Sequence, residues 1–103
     1  MKPSERLLAG ADALREYGWQ QGTFGKCGGE HCVAGALMET TVEDVTFWWT
    51  EDTCARAFAF LSQAAEVGYF NGLYPWNDAP ERTADEVRDA LLEAAMRAEA
   101  AGE

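Results

Sequence analysis

The chain has 103 residues, 48% of them hydrophobic and 12% aromatic, and a formal net charge of −10. That length predicts one domain. The size scaling buries roughly 65% of the unfolded chain's surface, enough for a core without metal or disulfide support. The aromatic content excludes a disordered acidic tail, and the acidity argues against contact with a nucleic-acid backbone.

No apolar run approaches the ~20 residues that span a bilayer. The opening MKPSERLLAGADALREYG carries charges inside its apolar stretch, so it reads as neither signal peptide nor anchor, and the expected location is cytoplasmic. Three cysteines is an odd count, and free thiols are expected.

The charge is unevenly placed. In residues 1–38 the bases Lys2, Arg6, Arg15 and Lys26 cancel Glu5, Asp12, Glu16 and Glu30. Residues 39–52 hold Glu39, Glu43, Asp44, Glu51 and Asp52 with no base, and from residue 78 onward eight acids face three arginines. Such a field attracts a basic protein surface; it also serves plain solubility.

The first helix is expected from Ser4 to Tyr17, with Leu7, Ala11 and Leu14 on one face. Ser4 is its expected cap and Gly18 its left-handed terminus. A glycine-dense loop, WQQGTFGKCGGEH, follows. A short helix over Cys32 to Thr40 is apolar all round, which implies burial on every side. VEDVTFWW reads as extended, with Val45, Phe47 and Trp49 on one side. A third helix over 51–67 carries the stripe Cys54, Ala57, Phe58, Leu61, Ala64 and Ala65, is expected to be central, and ends at Gly68.

Asn71-Gly72 between aromatic and aliphatic pairs is a hairpin signal, met equally by a tight loop. Thr83-Ala84-Asp85-Glu86 is a capping box opening the last helix. Val87, Ala90, Leu91, Ala94 and Ala98 form that helix's inner stripe. Leu92 and Met96 fall off it, which suggests a homodimer contact or partial cover by neighbouring aromatics. The expected fold is mainly all-α: a compact four-helix domain with an irregular or short hairpin insert, rich in aromatics, before the last helix.

Candidate chemistry is sparse. Cys27 and His31 have a spacing possible for two zinc ligands, but Cys32 is adjacent to His31 and diverges from it on a helix, and Cys54 sits in a core stripe, so no metal and no cofactor are expected. Cys32 at a helix start could be an activated thiol with Asn77 or Asp78 as partner, but the lone histidine is its immediate neighbour and poorly aimed. No catalytic set is assigned. The aromatics Trp19, Trp48, Trp49, Trp76, Phe24, Phe47, Phe70, Tyr69 and Tyr74 lie in or beside loops. They either plug helix ends or anchor an interface.

Gly18-Trp19, Gln21-Gly22, Cys32-Val33-Ala34-Gly35-Ala36-Leu37, Trp76-Asn77-Asp78 and Arg82-Thr83-Ala84-Asp85-Glu86-Val87 together carry a resemblance. The chain resembles a family of small acidic proteins from actinobacteria and their bacteriophages, catalogued only as a domain of unknown function. The likeness thins over 39–60, and Cys27 and His31 are not part of the pattern. It implies a phage or mobile-element origin and brings no activity.

Two readings of Trp76-Asn77-Asp78 stand. It is a structural plug, or, with Trp19 and Gln21, a recognition rim. The function expected is a non-enzymatic interaction module that binds a host cytoplasmic protein with a basic or mixed surface. The alternatives are a small thiol enzyme at Cys32 and an acidic mimic of nucleic acid built on the 39–52 acids.

Overall fold

The computed structural model describes residues 2–21, 33, 52–67 and 72–103. Among them are four helices: α1 (Pro3–Tyr17), α2 (Asp52–Ala64), α3 (Leu73–Asn77) and α4 (Ala84–Ala100), with no strand. The mainly α, four-helix class read from the sequence holds. Val33 is helical and buried, whereas the rest of the apolar segment 32–40 and the segment 41–50 lie outside the described residues.

α1 begins one residue before the expected cap. Pro3 has no N–H to lose and a φ suited to the first helical position, so Lys2 becomes the cap and its N–H donates to the Glu5 carboxylate at 2.8 Å. Ser4 instead reaches the far end of α4, its Oγ donating to the Glu103 carbonyl at 3.0 Å. Leu7, Ala11 and Leu14 are buried as expected. Gly18 closes the helix with φ 96° and ψ 167°, a region only glycine occupies without strain, and its N–H donates to the Leu14 carbonyl at 2.9 Å.

The central element is α4, not the third helix of the sequence reading. Both α1 and α2 pack mainly on it and touch each other less. The reason is its stripe: Val87, Ala90, Leu91, Ala94, Ala95 and Ala98 are buried, and four alanines let two helices come close. Thr83 caps α4 as predicted, its Oγ1 accepting from the Glu86 N–H while the Glu86 carboxylate accepts from the Thr83 N–H, both at 3.2 Å. α2 buries Ala57, Phe58 and Leu61, with Ala64 and Ala65 half-buried.

α2 does not run to Gly68. It stops at Ala64 in a turn where the Glu66 N–H donates to the Gln63 carbonyl and the Val67 N–H to that of Ser62, with Glu66 at φ 60°. This is the Schellman arrangement, here with a non-glycine residue in the left-handed position. α4 ends the same way, with Gly102 at φ 80° and the Glu103 N–H donating to the Ala98 carbonyl at 2.8 Å.

The hairpin alternative does not hold for Leu73-Tyr74. Gly72 caps α3 rather than turning a ribbon, and a Cβ there would sit 2.9 Å from that of Val67. Pro75 cannot donate to a strand ladder, yet in the first turn of a helix its missing N–H costs nothing. Leu73 is fully buried and anchors the turn, a contribution of about 2 kcal/mol on transfer scales.

Candidate functional site

Trp76-Asn77-Asp78 sits at the end of α3, and the three side chains have different fates. Asn77 is 1% exposed. Its Oδ1 accepts from the Trp19 indole N–H at 2.7 Å and from the Val33 backbone N–H at 3.0 Å. Its Nδ2 donates to the Gln20 carbonyl and to Asp78 Oδ1, each at 3.1 Å. A primary amide has two acceptor lone pairs and two N–H bonds, so every one is used. Gln21 completes the knot, its Nε2 donating to the backbone carbonyls of Asn77 at 3.0 Å and Ala79 at 2.8 Å. One asparagine thus ties the end of α1, the segment at Val33 and α3 together.

That geometry bears on the thiol alternative. Asn77 has no hydrogen-bonding capacity left to orient a neighbouring sulfur, and Asp78 is exposed. Cys27, His31 and Cys32 lie outside the described residues, as do residues 39–51 with their acids. Among the described residues no group of three or more His, Cys, Asp or Glu could hold a metal ion, and no helix is long and apolar enough to cross a membrane. Of the loop aromatics, Trp19, Tyr74 and Trp76 are described, all half-buried against the core. Leu92 is also half-covered by the core, while Met96 is 69% exposed.

Trp76 faces a different setting from its neighbour. It borders an open groove of about 510 Å³ between the end of α2 and the first turns of α4. Among the described residues, four carboxylates line that groove, Glu66, Glu86, Asp89 and Glu93, against one cation, Arg82; Ala64, Ala65 and Ala90 add small apolar surface. Arg82 lies over the Trp76 ring, 4.4 Å from its centroid. Its Nε donates to the Trp76 carbonyl at 2.9 Å and its Nη1 to Glu86 Oε2 at 3.0 Å.

Of this groove only Trp76 is among the candidate residues named from the sequence. The signal for the rest was present: Glu86, Asp89 and Glu93 recur at helical spacing on one face of α4, and Arg82 stands four residues before Glu86. Glu66 could not be added from spacing, because it arrives through the packing of α2 on α4.

These features define a small mainly α domain, with one corner locked by a buried amide and an acidic groove beside it. The chain belongs to a family of unknown function, DUF6197, whose model matches residues 1–97. That match spans every motif from Gly18-Trp19 to Arg82–Val87. No curated relative and no solved structure matches the chain.

Proposed function

We propose that the protein is a non-enzymatic interaction module that holds a basic segment of a partner protein in the groove between α2 and α4. The observation that carries this reading is the groove itself, in which, among the described residues, four carboxylates and Trp76 border an open space of about 510 Å³, large enough for side chains. Glu66 and Asp89 have no ion pair among the described residues, so their charge is available to a cationic partner. A half-exposed tryptophan beside uncompensated carboxylates offers both an anchor and a steering field. The phage-related origin implied by the family resemblance makes the partner a host cytoplasmic protein.

The test is a pull-down from an actinobacterial lysate with tagged wild type beside a folded Glu66→Gln, Asp89→Asn variant. The expected result is a protein retained by wild type, released by raised salt and lost from the variant. Equal retention by both would remove the groove from the account.

A further inference from the structure

The groove already holds a cation that belongs to the chain. Arg82 stacks on Trp76 and pairs with Glu86 at once. A flat guanidinium can lie on a ring and present its edge to a carboxylate, whereas an ammonium is a point charge that does one or the other. The place is therefore shaped for arginine. Arg82 is held there by three contacts, the Trp76 ring, the Trp76 carbonyl and Glu86, but the Glu86 side chain is 50% exposed, so an incoming guanidinium can reach the carboxylate and replace these contacts with its own. Beyond it the groove continues along Asp89 and Glu93, where Glu93 makes a long contact to Arg97 at 3.6 Å.

From this arrangement, and resting on the reading of the groove as an interaction site, we infer that the ligand is an arginine side chain within a basic segment and that Arg82 is its intramolecular competitor. In the free protein Arg82 occupies the place between Trp76 and Glu86. The partner's arginine enters as Arg82 turns out, and the flanking cations of the segment meet Glu66, Asp89 and Glu93. Competition of this kind weakens apparent affinity by the fraction of time the place is vacant.

The experiment titrates a peptide of alternating arginine and glycine, with lysine and glutamine counterparts, into wild type and Arg82→Lys at low ionic strength. Arg82→Lys keeps the net charge and loses the stack. The expected result is preference for the arginine peptide, tightened about 5-fold in the variant as the stack and the forked pair are lost, with a smaller change for lysine. If Arg82→Lys binds the arginine peptide no tighter than wild type, the competition is wrong and the groove reading survives. If neither cationic peptide binds either protein better than the glutamine peptide, the groove reading itself falls. A measurement on wild type needs no variant at all: the Arg82 Nε–H resonance should move to a solvent-exposed position at peptide saturation. A resonance that stays in place overturns the proposal.

Discussion

A buried amide is expensive to leave half-satisfied, and Asn77 spends both lone pairs and both N–H bonds on partners from three stretches of chain. Truncating it strands the Trp19 indole N–H, the Val33 N–H and the Gln20 carbonyl together. Unpaired buried groups cost about 1–3 kcal/mol each and do not add fully, so Asn77→Ala should lose about 3–4 kcal/mol. Urea unfolding followed by tryptophan fluorescence checks this, as a drop in midpoint at constant slope; a change under 1 kcal/mol would mean the knot does not hold the corner. The sequence allowed Asn77 to be either plug or rim because its partners are 44 and 58 residues away, beyond the reach of any local pattern. Asp78 and Trp76 differ from it only in where their side chains emerge, which needs the fold.

At the scale of elements, what repeats along the chain could be read and what is set by contact could not. The stripes of α1, α2 and α4 and the Thr83–Glu86 box follow from spacing and side-chain chemistry, and each is present among the described side chains, with Cys54 of the α2 stripe lying outside them. The end of α2 was missed because glycine is the usual left-handed residue, and here Glu66 takes that conformation two residues before Gly68. The hairpin alternative at Asn71-Gly72 gives way at Leu73-Tyr74 to the short helix α3, because a local turn signal is overridden there by the burial of Leu73 and the approach of Gly72 to Val67. A side chain at φ 60° costs more than glycine does there, so Glu66→Gly should stabilise the domain by about 0.5–1 kcal/mol. Thermal unfolding decides it, and a destabilised variant would mean that Glu66 makes a contact which outweighs its strain.

For the whole molecule, Glu103 joins the helix ends. Its carbonyl accepts from Ser4 of α1, and Arg56 of α2 donates to its carboxylate from Nε at 2.7 Å and Nη2 at 2.8 Å. The hydrogen bonds from Arg56 hold the Glu103 carboxyl below its ordinary value of 4.5; partial desolvation opposes them and charge attraction to Arg56 adds to them. A depressed folded value means the contribution is full above the ordinary value and is lost as pH falls through the folded one. The melting-temperature gap between wild type and Glu103→Gln should therefore be constant from neutral pH to about 5 and close below that. A gap that does not change with pH would show that the carboxylate charge is not involved.

At the same scale, Asn77 builds the corner, and our proposal is that the neighbouring groove, bordered by Trp76, recognises a basic partner. The one-sided acidity of the sequence pointed to such a partner, but it took the packing of α2 on α4 to bring Glu66 to Asp89 and Glu93.

The most direct test is a nitrogen–proton correlation spectrum of wild type during titration with the arginine peptide. The expected result is shifts at Glu66, Trp76, Arg82, Glu86, Asp89 and Glu93, with the Trp19 indole and the Asn77 side-chain amide unmoved. Shifts centred on that indole and amide, with the groove silent, would make the knot the recognition surface and contradict the account.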